Sequence, residues 1–253
     1  MVTLFRKSFF LLFFGTISIY TFAQEGTRTS DAVLKGKVMI IPFEPLMYMS
    51  EIDKKVNEQT DRTFNEIREK FRRELDIQLL LKLKKQTPTI SFYLDSIKMA
   101  RDLDHIYKSR TLSYELLDPK KGTPDSKKQK KITNGQLTVE MNNDVKFMNA
   151  KIINPSLLST LNKKYDSEYF IFINELDIKT DMESYDAVSD SYQRNVIVHY
   201  TIMDKTKKII SAGAAVSKFS SLENDPKKIV DKTFVPIADY IANQFLSATK
   251  TSK

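Results

Sequence analysis

Residues 168–218 constrain the fold more than any other part of this chain. Tyr169-Phe170-Ile171-Phe172-Ile173-Asn174-Glu175-Leu176-Asp177-Ile178 is followed, after a polar stretch, by Val196-Ile197-Val198-His199-Tyr200-Thr201-Ile202-Met203. Lys208-Ile209-Ile210-Ser211-Ala212-Gly213-Ala214-Ala215-Val216 comes next, across Asp204-Lys205-Thr206-Lys207. β-branched and aromatic residues bounded by turn formers predict three antiparallel strands. Strict alternation places Phe170, Phe172, Leu176 and Ile178 on one face and Glu175, Asp177 and Lys179 on the other, toward water. The small residues Ala212, Gly213 and Ala214 suit a closely packed helix.

Helices are expected around this sheet. Lys37–Phe43 reads as a strand that ends or lies at an edge where Pro42 removes a ladder donor. From Ser50, with Asp53 three residues on, Ile52, Val56, Thr60, Phe64, Ile67, Phe71, Leu75 and Leu79 recur every three or four positions. That spacing predicts one long amphipathic helix, buried all round at Ile77–Leu83. Leu94–Tyr107 reads as a second helix with Ile97, Ala100, Leu103 and Tyr107 inward, and Thr111–Leu117 as a short strand. Leu137–Val145 and Lys146–Ile153 read as strands turning at Asn142-Asn143-Asp144, and a turn is expected at Asn134-Gly135. Leu157, Leu158 and Leu161 fall on the inner face of a short helix. Asp225-Pro226 caps a last helix whose Val230, Phe234, Ile237, Ile241 and Phe245 share a face, and Pro236 should kink or split it. The class is α+β: a mixed, mostly antiparallel sheet packed by a long amino-terminal helix and a carboxy-terminal helix.

The amino terminus reads as an export signal. Arg6 and Lys7 precede an apolar run from Phe9 to Tyr20, and Thr21-Phe22-Ala23 supplies small residues before a cleavage site. Residues 1–23 are therefore expected to be removed, 24–36 to be a polar leader, and 37–253 to form a single domain. Because the signal holds no acidic residue, losing Arg6 and Lys7 lowers the formal net charge from +8 to +6. Export argues against nucleic acid as the partner of this basic chain, leaving an anionic envelope surface or plain solubility. With no cysteine in the sequence there is no disulfide, no thiolate metal site and no acylated cysteine.

A loop is expected at 118–135. It carries Lys120, Lys121, Lys127, Lys128, Lys130 and Lys131, a candidate contact for an anionic partner or simply a solvated insert.

No catalytic, cofactor or metal residues are assigned. The six glycines are scattered singly, so no phosphate-binding turn exists, and neither a serine-hydrolase elbow nor a His-Glu-x-x-His helix occurs. His105, near Asp102 and Asp104, and His199 read as surface residues. Asp181, Glu183, Asp186 and Asp190 fall in a polar loop from Asp181 to Asn195 that lacks the calcium-loop spacing.

Val38-Met39-Ile40-Ile41-Pro42-Phe43 resembles the opening strand of a family of bacterial envelope proteins. That family includes the TolB amino-terminal domain, the curli-secretion lipoprotein and the lipoprotein activator of penicillin-binding proteins. Lys164–Leu176 is similar to their helix end and following strand, and Ile202–Ile210 to their hairpin. Asn174 and Lys207 replace glycines usual in that family, and the lipidated cysteine has no counterpart. The resemblance implies a non-catalytic binding or assembly module of the cell envelope, with another envelope protein or polymer as partner and peripheral membrane association in reach. Two alternatives stand beside it: an oligomeric subunit of a secretion apparatus using added hairpins from Thr111 to Ile153, and a carboxylate-dependent hydrolase.

Overall fold

The computed structural model describes residues 36–94, 96–116, 131–133, 136–138 and 146–250. The chain opens with β1 (Lys37–Ile41), which stops before Pro42, and passes a 3-10 turn (Pro45–Met47) into β2 (Tyr48–Ser50). Helices α1 (Asp53–Thr60) and α2 (Phe64–Leu83) lead to β3 (Thr89–Ser91), α3 (Ser96–Lys108) and β4 (Arg110–Leu116). Next come β5 (Lys131–Thr133), β6 (Gln136–Thr138), β7 (Lys146–Ile152) and α4 (Leu157–Tyr165). The long strands β8 (Ser167–Asp186), β9 (Ser191–Asp204) and β10 (Ile209–Ser220) precede α5 (Pro226–Lys250).

The main sheet runs β10-β9-β8-β1-β3, with β2 continuing alongside β8. Pairing is antiparallel among β8, β9 and β10 and parallel around β1, so β1 is an interior strand rather than an edge. β4 and β7 form a separate antiparallel ribbon, and β5 pairs with β6 on either side of Asn134-Gly135. The fold is thus α+β with a mixed, mostly antiparallel sheet.

Each face of the sheet has its own apolar core. On the first, Ile67, Phe71, Leu75 and Leu79 of α2 and Phe234, Ile237, Ile241 and Phe245 of α5 meet Val38, Ile40, Ile171, Ile173, Leu176 and Val198. Phe71 and Phe234 pack edge to face at 5.6 Å between centroids. Ala215 of β10 and Ala238 and Ala242 of α5 are buried there, the close approach that small residues permit. On the second face Met39, Ile41, Phe170 and Phe172 meet Phe92, Leu103, Ile106, Ala150, Leu157, Leu158 and Leu161.

Several local rules override periodicity. The predicted single helix breaks at residues 61–63. Asp61 takes a left-handed conformation (φ 54°) and closes α1 on Asn57 O. Thr63 and Glu66 then form a reciprocal capping box, with Glu66 N to Thr63 Oγ1 at 3.3 Å and Thr63 N to Glu66 Oε2 at 2.8 Å. Phe64, counted in the inner stripe, is therefore exposed. Ser50 ends β2 instead of opening a helix, donating to Asp53 Oδ1 at 2.6 Å.

The end of α2 is buried on one side only, since Leu81 is exposed while Leu80 and Leu83 are not. On α3 the inner face falls on Met99, Leu103, Ile106 and Tyr107; Ile97 and Ala100 face outward. β7 pairs with β4; of the expected 137–145 strand, Leu137 and Thr138 belong to β6, and the rest, with the turn expected at Asn142-Asn143-Asp144, lies outside the described residues. α5 runs unsplit through Pro236. The expected polar loop at 181–195 is largely strand, because β8 and β9 extend as a ribbon to the Asp186–Ser191 pair, with Tyr185 and Tyr192 rings 4.9 Å apart.

Candidate functional site

The strand that was expected to alternate strictly carries a β-bulge at Asn174. Ile173 pairs with Tyr200 and Glu175 with His199, leaving Asn174 as the extra residue. One inserted residue exchanges the faces beyond it. Ile171 and Ile173 therefore share the first core with Leu176 and Ile178, while Phe170 and Phe172 lie on the second face with Glu175 and Asp177. Those two acids do not meet water: each is 1% exposed. His199, read as a surface histidine, is buried beside them.

The β4–β7 ribbon closes over this polar patch. Its attachment uses side chains in place of a strand ladder. Met148 N donates to His199 Nδ1 at 3.0 Å, Ala150 N to Thr201 Oγ1 at 3.1 Å, and Asn174 Nδ2 to Met148 O at 2.9 Å. Thr201 Oγ1 in turn donates to Asn149 Oδ1 at 2.7 Å. Ala212 and Ala214 of β10 pair with Thr201 and His199, so beside these two residues the strand presents small side chains on this face. Tyr114 of β4 reaches down, and its hydroxyl lies 2.9 and 2.8 Å from the two oxygens of Glu175. Lys179 Nζ donates to Asp177 Oδ2 at 2.6 Å.

The two acids are tuned in opposite directions. Burial, reinforced by the charge of Asp177, raises the Glu175 carboxyl above its usual range, although the Tyr114 hydroxyl offsets part of this. Burial also pushes Asp177 upward, but His199 and Lys179 beside it outweigh that and hold it below its ordinary value. Tyr114 is pushed up by burial and by its bond to Glu175, so its hydroxyl keeps its proton and donates.

Glu175, Asp177 and His199 bring potential metal-ligand atoms within 4.8 Å of one another. The imidazole argues against a metal there. Nε2, 3.6 Å from Glu175 Oε2 and 3.8 Å from Asp177 Oδ2, is the ring atom aimed at the carboxylates. A metal needs a lone pair on Nε2 and normally a proton on Nδ1 donated outward. Here Nδ1 accepts from the Met148 backbone, so the neutral ring carries its proton on Nε2. The arrangement is chemically a buried fastener, in which an imidazole N–H, a phenol and an ammonium face two carboxylates.

Among the other residues singled out, His105 is exposed on α3, and Asp102 accepts from Lys164 Nζ at 2.6 Å and from the Tyr165 hydroxyl. Asp186 and Asp190 bond locally within the β8–β9 turn, and Asp181 pairs with Lys218. Lys120, Lys121, Lys127, Lys128 and Lys130 lie outside the described residues, and Lys131 opens β5. No sequence pattern marked Glu175, Asp177 and His199 as a group; only the excess residue Asn174 in an otherwise apolar-alternating strand hints at the exchange of faces.

Two surface features bear on binding. An open groove of about 470 Å³ runs between Thr60, Arg62, Lys70 and Glu74 on one wall and Asp225 to Asp231 on the other. More distinctive is β10: a strand of twelve residues, paired with β9 on one side and with no strand on its other side among the described residues. Ile209 and Val216 are exposed along it.

No family model and no curated protein matches this sequence. Two solved structures are similar over most of the chain. A lipoprotein from Neisseria meningitidis shares 9% identity at a TM-score of 0.35, covering 82% of this chain and 99% of its own. A hypothetical protein from Chlamydia trachomatis shares 14% identity at a TM-score of 0.36, with 85% and 95% covered. Likeness at this level leaves the functional reading to the residues themselves.

Proposed function

We propose that this is an exported, non-catalytic binding module of the bacterial cell envelope that takes an extended segment of another envelope protein onto the edge of β10. The observation carrying this reading is the outer side of that twelve-residue strand, which no strand among the described residues pairs. An edge strand offers a row of backbone donors and acceptors, and proteins normally shorten, charge or cover such edges. Here the strand is long, its Gly213 and Ala215 rest on α5, and exposed Val216 offers an apolar contact for an added strand. Strand addition supplies affinity through main-chain bonds and needs no catalytic group. The signal-like start of the sequence supports export, and the resemblance of Val38–Phe43 and Ile202–Ile210 to envelope adaptors supports a binding role.

The test is photocrosslinking in the native cell, with a photoreactive residue placed at Val216 or Lys218 and, as control, at Lys54 on α1. Adducts to one envelope protein from the β10 positions alone are expected. Adducts only between copies of this chain, or none, would overturn the reading.

A further inference from the structure

At the carboxyl end of β1 the connections of the sheet reverse. The chain passes from β1 to β3 through α1 and α2, which pack on the first core, then to β8 on the other side of β1 past α3 and α4, which pack on the second. Open sheets with parallel strands take ligands just beyond the strand ends at such a reversal. Here Glu44, Arg72, Tyr93, Tyr107 and Arg110 cluster at that corner.

Two arginines meet there, and they are treated differently. Arg72 is fully engaged: Nε donates to Phe43 O at 2.7 Å and Nη2 to the Tyr107 hydroxyl at 2.9 Å, while Nη1 lies 3.4 Å from Glu69. Tyr107 passes the contact on to Pro42 O at 2.9 Å. Arg110 has no such partners. It is 6% exposed, and Nε, Nη1 and Nη2 are all buried without a hydrogen bond. The nearest carboxylate among the described residues, Glu44, stands 4.0 Å from Nη2 with its own side chain 38% exposed. The guanidinium carbon lies over the Tyr107 ring, 5.1 Å from its centroid.

Burial disfavours this cation, yet a guanidinium does not discharge by losing its proton under physiological conditions. Its unused N–H groups suit an anion closer than Glu44, and a planar guanidinium fork favours an oxyanion with two oxygens to offer. We propose that Arg110, floored by Tyr107, binds the oxyanion group of a ligand at the carboxyl end of β1. Arg72 contributes a second positive charge at the same corner. Glu44 on the rim disfavours a dianion, so a carboxylate is preferred over a phosphate. This site is separate from the β10 edge and does not depend on it.

The full chain, labelled with nitrogen-15, tests the proposal through the Arg110 Nε–H resonance, identified by its loss in Arg110→Met. At constant ionic strength, acetate should move that resonance in a saturating manner, inorganic phosphate more weakly, and chloride not at all. Saturation by phosphate with no response to acetate keeps the site and makes its ligand a phosphate ester. In chloride buffer, Arg110→Met should melt no lower than the parent, because it removes a buried guanidinium that makes no hydrogen bond and has only the distant Glu44 carboxylate, 4.0 Å away, against the cost of its burial. Three results would overturn the assignment. One is a resonance that no anion moves. Another is an equal response to all three, which would indicate an adventitious ion only. The third is a matching loss of Tm in Arg110→Met and Glu44→Gln, which would make Glu44 the partner. Should Arg110→Met fail to fold, Arg110→Lys, which keeps the charge and the aliphatic stem but has no Nε–H of this kind, identifies the resonance by the same loss.

Discussion

The Met148 backbone N–H donates to Nδ1 of His199 across 3.0 Å, joining β7 to β9 where no ladder connects them. This contact fixes the tautomer of the ring and turns its N–H toward Glu175 and Asp177. His199→Ala would leave a buried amide unpaired and open a cavity, lowering stability by about 2–4 kcal/mol. His199→Asn places an acceptor where Nδ1 stood and should recover about 1 kcal/mol of that loss. Urea unfolding of the two variants checks the difference; equal losses would show that the Met148 contact contributes nothing.

Glu175 separates the observed strand faces from those that alternation predicts. Strict alternation puts it in water, where Glu175→Lys would be harmless. In the structure it is enclosed beneath the ribbon, 1% exposed, with Tyr114 bonded to it. Glu175→Lys should therefore cost about 3–5 kcal/mol, since it removes the acceptor for Tyr114 and buries a cation in its place. Glu175→Gln keeps an acceptor, removes the repulsion from Asp177, and should stay within about 1 kcal/mol of the parent. Thermal melts of the pair provide the check, and a neutral Glu175→Lys would restore the water-facing assignment.

The break between α1 and α2 gives a second contrast. Thr63 accepts from Glu66 N while Glu66 accepts from Thr63 N. Thr63→Ala should cost about 1 kcal/mol by removing the cap. Within one continuous helix the same change would stabilise, because alanine is the better helix former. The sign of the shift in urea midpoint settles which holds.

What the sequence made legible follows from how local each rule is. The three main strands, the leucine face of α4, the five inward residues of α5 and the halt of β1 at Pro42 depend on short patterns, and all are present. A Thr-x-x-Glu cap interrupting a continuous stripe was legible too, but periodicity over many residues masked it. The polar cluster was not legible. Its assembly depends on one bulge residue, Asn174, and on a ribbon whose two strands, Arg110–Leu116 and Lys146–Ile152, lie far apart in the chain. Register between distant segments is decided by packing and side-chain bonding that a single sequence does not display. Glu175 and Asp177 looked like a solvated face because nothing local revealed what covers them.

Asp76 supplies the clearest dependence of stability on pH. It sits on the inner side of α2, 2% exposed, with the Ser91 hydroxyl donating to one oxygen and no hydrogen bond to the other. Burial raises its carboxyl to about 7, although Ser91 and the charge of Arg72 pull the other way. In the unfolded chain the group ionises near the ordinary aspartate value of about 3.9. Between these two values the folded protein holds a proton that the unfolded chain has released, so stability falls as pH rises through the window and levels off above it. The slope from this one group approaches about 1.4 kcal/mol per pH unit within the window. Glu175 adds to the same trend, because its carboxyl is also raised. Asp177, whose carboxyl is lowered, acts oppositely: its contribution is present above the ordinary aspartate value and is lost as pH falls through its folded value. The Asp76 share is isolated by comparing the parent with Asp76→Asn, which keeps an acceptor for Ser91 and carries no charge. Urea unfolding across pH 5–8 should show the parent losing stability relative to Asp76→Asn up to about pH 7 and a constant difference beyond. Parallel curves throughout would show that Asp76 is ionised in the folded protein.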